Sequence, residues 1–333
     1  MSSGDSRMEG SGDRRMEDDV PQPRQPRNLQ DLVRYSIEAG PSQPHETQEI
    51  QDNLTLERKL FLEEALQSLT EDVTKELAEA IATLQKYQST DEDYSSYESA
   101  LDIIADRVDN IDCANDFCKL GGFDVVPACL SSCCSGIRWR MCDVIAQCTQ
   151  NNPFCQEYVV KHLFLESLLN MVDKDPDEKC RTKAFFAVSS VVRDCQQGLK
   201  EFLRLDGFSV VLRAMQSPIE RLRNKSTFFL SSILFQHPEI IGDVFNMGFV
   251  EQLVALIHNE HSPVHEHIIS TLLTISKSYT PAQVECRRPE LKLRSSLTYL
   301  LQQYQHDDAF REEMGYIKEL MNLIFSDDSE EER

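Results

Sequence analysis

Four pairs of basic residues or histidines recur along this chain: Arg138 and Arg140, Arg181 and Lys183, Arg223 and Lys225, and His265 and His267. Each pair opens a helix-forming stretch: RWRMCDVIAQCTQ, RTKAFFAVSSVVR, RNKSTFFLSSILF and HEHIISTLLTISK. Cations at a helix N-terminus oppose the macrodipole at about 0.3–1 kcal/mol each, so helix stability alone does not select for their recurrence. The chemistry they offer is attraction for acidic patches on another protein.

Other clusters carry less. His258, His261, His265 and His267 gather with Glu260 and Glu266, but HEHII is not the two-histidine helical zinc motif, and Pro263 interrupts the spacing. Capping and hydrogen bonding are their expected roles. Cys113, Cys118, Cys129, Cys133, Cys134 and Cys142 form no paired C-x-x-C knuckles, so core cysteine is expected there. The sequence contains no GxxxxGK[ST], GxGxxG or GxSxG, and its carboxylate pairs lie on solvated helix faces with nothing to raise their pKa values. No metal, cofactor or catalytic residue is expected, and the chain does not read as an enzyme.

Asp and Glu outnumber Lys and Arg by 56 to 34, a formal charge of -22. That balance repels phosphate backbones and anionic lipid, which argues against nucleic acid and membrane as partners. No apolar run reaches membrane-spanning length, and the opening MSSGDSRMEGSGDRRMEDD lacks the apolar core of a secretion signal, so the cytosol or nucleus is the expected compartment. The eleven cysteines then read as reduced. The sequons at Asn53 and Asn224 have no role in that compartment.

The elements that position the basic pairs repeat with them. Gly122, Leu163, Gly207 and Gly248 fall in one column at intervals of 41, 44 and 41 residues, the period of armadillo-type helical arrays. Each repeat reads as a short helix, a glycine turn, a second helix, a break and a longer third helix. The breaks fall at Ser135-Gly136, Asp175-Pro176, Ser217-Pro218 and Ser262-Pro263. The second repeat has Lys161-His162-Leu163 where the turn glycine belongs, so a different turn is expected there.

The expected fold is therefore all-α: an armadillo-like, right-handed α-solenoid of four repeats with helical caps. Its segments are a disordered tail over 1–26, a short amphipathic helix over 27–40, a linker over 41–52 and an acidic N-terminal cap over 53–108. Four repeats over 109–280, a C-terminal cap over 281–325 and an acidic tail over 326–333 complete it. The tail's SDDSEEE has the form of a site for an acid-directed kinase at Ser329.

Counting from the first residue of each third helix, columns 6, 7 and 10 are chiefly apolar and form the expected buried face, as in Phe229, Leu230 and Ile233. Columns 2, 5 and 9 lie on another face: Arg140, Asp143 and Gln147; Lys183, Phe186 and Ser190; Lys225, Phe228 and Ser232; His267, Ser270 and Thr274. Third helices line the concave side of armadillo arrays, so these twelve residues are expected to form a ladder that binds a partner. Phe186 and Phe228 would be its exposed aromatic anchors.

Longer strings narrow the assignment. NIDCANDFCKLGGF (110–123), FLRLDGFSVVLRAMQ (202–216), EHSPVHEHI (260–268), ECRRPEL (285–291) and the leading RNLQDLVRYSIEAG (27–40) resemble the heat-shock protein 70 binding proteins of animals, relatives of the fungal Fes-type exchange factors. The resemblance covers roughly 27–325. It implies an array whose concave face binds the nucleotide-binding domain of the cytosolic chaperone and speeds ADP release, with the leading segment implicated in freeing the chaperone's substrate. An inhibitor of chaperone-coupled ubiquitin ligation, with the chaperone-associated ubiquitin ligase as a further partner, is one alternative. A peptide-binding adaptor or transport receptor is another, although the tryptophan and asparagine ladders of importin-like arrays are missing from these columns.

Overall fold

The computed structural model describes residues 73–88, 93–258, 264–304 and 307–326. The chain divides into two units, Met1–Leu62 and Glu63–Arg333, and everything described belongs to the second. The expectations for the tail over 1–26, the helix over 27–40, the linker over 41–52 and the acidic end past Ser326 concern residues outside this set.

All regular structure among the described residues is helical. Two helices lead, α1 over 73–84 and α2 at Ser95–Arg107. The first repeat comprises α3 (Ile111–Lys119), a 3-10 turn at Gly122–Val125 running into α4 (Val126–Leu130), and α5 (Ser135–Thr149). The second has α6 (Pro153–Lys161), α7 (Phe164–Lys174) and α8 (Glu178–Val192). The third has α9 (Gln196–Arg204), α10 (Gly207–Met215) and α11 (Glu220–Gln236). The fourth has α12 (Ile241–Asn246), α13 (Phe249–Ile257) and α14 (Val264–Ser278), and α15 (Thr280–Cys286), α16 (Leu293–Tyr304) and α17 (Arg311–Phe325) close the unit.

Short polar side chains start several of these helices. Asn110 accepts hydrogen bonds from the backbone N–H groups of Asp112 and Cys113, Asn152 from Cys155, and Asp177 from Cys180. Each satisfies donors that the helix itself leaves without partners.

The turn between first and second helices is left-handed in every repeat: φ is 78° at Gly121, 63° at Leu163, 54° at Asp206 and 79° at Gly248. The different turn expected at Leu163 is therefore not found; leucine takes up the glycine conformation, at a cost of about 1–2 kcal/mol. Gly122 and Gly207 serve another purpose. A Cβ at either position would run into the ring of Phe117 or Phe202, so these glycines permit close packing of the first helix on the second.

Third helices stack in sequence, α5 on α8, α8 on α11 and α11 on α14. The row also extends beyond the four repeats, because α2 packs on α5 and α17 packs on α14. Both belong to the segments expected as caps, and in the fold they act as the end members of the same row. Aromatic rings join the middle repeats: Phe229 meets Phe185 edge-on at 5.7 Å and Phe202 at 5.6 Å, and Phe208 meets Phe249 at 5.9 Å.

The candidate partner-binding face

The first basic column does not point at a partner. Arg138 donates two hydrogen bonds to the carboxylate of Asp175, at 2.8 and 2.9 Å, and two more to the carbonyls of Ser132 and Cys133. Arg181 donates to Val172 O, and Arg223 to the carbonyls of Ser217 and Pro218. All these carbonyls sit in or just past the last turn of the preceding second helix, where the dipole is negative and carbonyls lack partners. The cations that oppose the dipole of the third helix thus complete the end of the second. Asp175 raises the pKa of Arg138 by its hydrogen bonds, and both groups are nearly buried, with side-chain exposures of 11% and 5%. His265, in the same column, is buried.

The second column forms the ladder, rung by rung between neighbouring third helices. Each column-2 side chain lies on the column-5 position of the helix before it. Arg140 donates to Asp102 on α2 at 2.7 Å and pairs with Glu98 at 3.2 Å; Lys183 donates to Asp143 at 2.6 Å. Lys225 stands 4.9 Å above the Phe186 ring, and His267 meets the Phe228 ring edge-on at 5.3 Å. The positive stripe expected to grip a partner is altered in its first two members. Arg140 and Lys183 have their charge matched within the protein, and the rungs change from carboxylate to aromatic halfway along.

At that change aromatic and cationic groups are exposed side by side. Phe228 is 46% exposed, while its neighbour Phe229 is in the core; Phe186 is half-buried and Phe185 fully buried. Lys225 is exposed, and its ammonium pKa is lowered, first by lost hydration and then by the nearby Lys183. Arg193, which caps the C-terminus of α8, lies 5.5 Å over the Phe228 ring. Together with Asn151, Ser189 and Ser190 these groups line a cavity of about 220 Å3. Aromatic faces with cations held over them can receive a side chain that is partly apolar and partly anionic.

The remaining ladder residues vary. Gln147, Ser232 and Ser270 are partly exposed, and the Thr274 hydroxyl is bonded to Ser270 O. Ser190 is a correction: it is buried, because its helix is pressed against α6, whose Gln156 donates to Ser190 O and Arg193 O. Two residues of this face were missed, Arg193 and Phe235. Both fall at column 12, the next step along the same helical stripe, and Phe235 is 80% exposed. Extending the columns by one turn would have found them.

Among the described residues no three His, Cys, Asp or Glu side chains come together as a metal site would need. Glu260 and His261 lie outside the described residues, while His265 and His267 are placed as above. Of the six cysteines expected in the core, Cys118, Cys129 and Cys142 are buried there, whereas Cys133 is exposed and Cys113 and Cys134 are half-buried; burial pushes the thiols of Cys129 and Cys155 up to about 12. No single helix among the described residues is long and apolar enough to cross a membrane.

Comparison with known proteins agrees with this architecture. A family profile described as the SIL1/FES1/HPBP1 C-terminal domain matches residues 113–217, and one described as nucleotide exchange factor Fes1 matches residues 29–117. The chain is 37% identical to Hsp70-binding protein 1 of Mus musculus over 315 residues, covering 91% of this chain and 87% of the mouse protein. It is likewise 37% identical to the Homo sapiens protein of that name over 316 residues, covering 91% and 87%. Hsp70 nucleotide exchange factor FES1 of Coccidioides immitis is 28% identical over 184 residues, which cover 54% of this chain and 84% of the fungal one. Among solved structures, a designed armadillo repeat protein in complex with the peptide (KR)4 superposes with a TM-score of 0.61 at 14% identity, covering 74% of this chain and 99% of that one. The fold is thus that of an armadillo-like α-solenoid.

Proposed function

This chain belongs to the family of Hsp70-binding protein 1 and Fes1, and from that premise we propose that it is an Hsp70 co-chaperone that promotes nucleotide exchange. The partner surface would be the nucleotide-binding domain of cytosolic Hsp70. The ladder on α5, α8, α11 and α14 would hold one lobe of that domain along the concave side, with the Phe228, Lys225 and Arg193 group at the centre. Exchange then needs no reacting group on this chain. It requires only tighter binding to the open, nucleotide-poor partner than to the closed one, and reciprocity weakens the nucleotide by the same factor. A coupling of about 1–3 kcal/mol gives roughly 5- to 150-fold.

The observation that carries this reading is the exposed aromatic and cationic centre of the ladder, on a chain whose family is named for Hsp70 binding and nucleotide exchange. A basic-peptide adaptor is the weaker alternative. Asp143, the ladder carboxylate such a peptide would need, is already paired with Lys183. Blocking of chaperone-coupled ubiquitin ligation would follow secondarily, if a bound chaperone could no longer assemble with the ligase.

The test is stopped-flow release of labelled ADP from the Hsp70 nucleotide-binding domain, with and without the protein. Release should accelerate with protein concentration and saturate. Equal affinity for the ADP-loaded and nucleotide-free domain would refute the proposal.

A further inference from the structure

A second charged feature lies apart from the ladder. Between α15, α16 and the end of α17 is a cavity of about 640 Å3 whose lining carries four cations, Arg287, Arg288, Lys292 and Arg294, and no carboxylate among the described residues. In a chain of net charge -22 such a concentration of positive charge is unusual. Arg288 is matched by Glu285 at 2.5 Å, Glu290 at 3.6 Å and Glu251 at 3.8 Å, so the positive charge of the cavity rests on Arg287, Lys292 and Arg294, and Arg287 donates through Nε to Ile324 O. Lys292 and Arg294 flank the first residue of α16, whose N-terminal dipole adds to their charge, so an anion here would offset both at once.

The path of the chain identifies the occupant. Phe325 lines the cavity, with the Arg294 guanidinium 5.5 Å from its ring centre, and the Arg287 bond to Ile324 O ties the last turn of α17 to α15. The chain leaves from this point. Its next residues are Asp327, Asp328, Ser329, Glu330, Glu331, Glu332 and Arg333, five carboxylates among seven positions. At about 3.3–3.6 Å per residue the segment reaches at most ~25 Å, enough to cross a cavity of this size.

We propose that the acidic C-terminal segment 327–333 docks into the Arg287, Lys292 and Arg294 cavity as an intramolecular ligand. Tethering favours it over any free acidic peptide, because a short flexible link gives an effective concentration on the order of millimolar. The docked segment would pin α17, the end member of the third-helix row, against α16 and keep unrelated anions out of the cavity. Phosphorylation of Ser329 would add about -1.5 to -2 charge and tighten the docking.

The test measures binding of a fluorescein-labelled peptide of sequence SDDSEEER by anisotropy to three proteins. These are the full chain, a chain ending at Ser326, and a full chain with Asp327, Asp328, Glu330, Glu331 and Glu332 replaced by the corresponding amides, which leaves the folded body unchanged. The truncated and amide chains should bind the peptide about tenfold more tightly than the full chain, and 1 M salt, with a Debye length of about 3 Å, should abolish the binding. Lys292→Glu with Arg294→Glu in the truncated chain should lose it, with circular dichroism confirming the fold. Equal binding by all three chains, or none by any, would overturn the proposal. So would unchanged binding after charge reversal, or a concentration-dependent dimer of the full chain that dissociates on truncation, which would place the tail in a second copy.

Discussion

Phe228 and Phe229 are adjacent on α11 and chemically identical, yet, about 100° apart around the helix, one is exposed and the other in the core, which makes them a controlled pair. Phe229 is 1% exposed and in edge-on contact with Phe185 and Phe202. Phe229→Ala should cost about 3–5 kcal/mol of stability, the usual range for a buried ring whose cavity cannot fully collapse. Phe228 is 46% exposed, so its truncation gives up only about half the burial, roughly 1–2 kcal/mol. If Phe228 anchors the partner, its loss should also weaken binding by 2 kcal/mol or more, about 30-fold, chiefly through faster dissociation. Urea unfolding followed by circular dichroism reads the first quantity. Surface-bound Hsp70 nucleotide-binding domain, with protein concentration corrected for the folded fraction, reads the second. The reasoning fails if Phe228→Ala unfolds as readily as Phe229→Ala while each folded molecule keeps the parental affinity, because Phe228 would then be a core residue.

Charge reversal should separate the rungs in the same way. Lys225→Glu with Arg193→Glu should slow association and flatten its salt dependence with little effect on melting, whereas Arg140→Glu should lower the melting temperature, because it places a third carboxylate beside Asp102 and Glu98. Arg138→Ala should destabilise by about 3 kcal/mol, since it leaves the nearly buried Asp175 without its partner; a melting temperature within a degree of the parent would contradict that role. Asp177 has its pKa held below the ordinary aspartate value, first by the Cys180 backbone hydrogen bond. Its capping contribution is therefore complete above the unfolded-state pKa and fades as pH falls through the lower folded one. Asp177→Asn should remove that acid-side loss while keeping the cap at pH 7, as comparison of urea midpoints at several pH values will show. Among the described cysteines Cys133 is exposed, whereas burial pushes the thiols of Cys129 and Cys180 up to about 12, so brief maleimide treatment of folded protein should label Cys133 ahead of those two.

The resemblance to known exchange factors, and with it the family, rested on strings of residues that need no coordinates to recognise. The ladder was only partly legible, for reasons visible at individual positions. Columns 6, 7 and 10 could be separated from columns 2, 5 and 9 because a helix turns by a fixed angle per residue, which the apolar spacing records. The same rule carries the stripe to Arg193 and Phe235, and stopping one turn short left them out. Ser190 was misplaced because its burial depends on α6, a helix whose approach no pattern within α8 encodes.

From sequence alone came the repeat period, the three-helix unit and the inward face of each long helix, since these follow from local spacing and from the residues that break helices. Tertiary structure alone decided what each charged residue is for. Arg138 and Arg140 are two residues apart, yet one closes the end of a neighbouring helix and Asp175, while the other is a rung against Asp102. Their partners lie 37 and 38 positions away along the chain, where only the stacking of one repeat on the next can bring them within hydrogen-bond reach. Leu163 shows the same division: its side chain argues against a left-handed turn, and the packing of two helices imposes one.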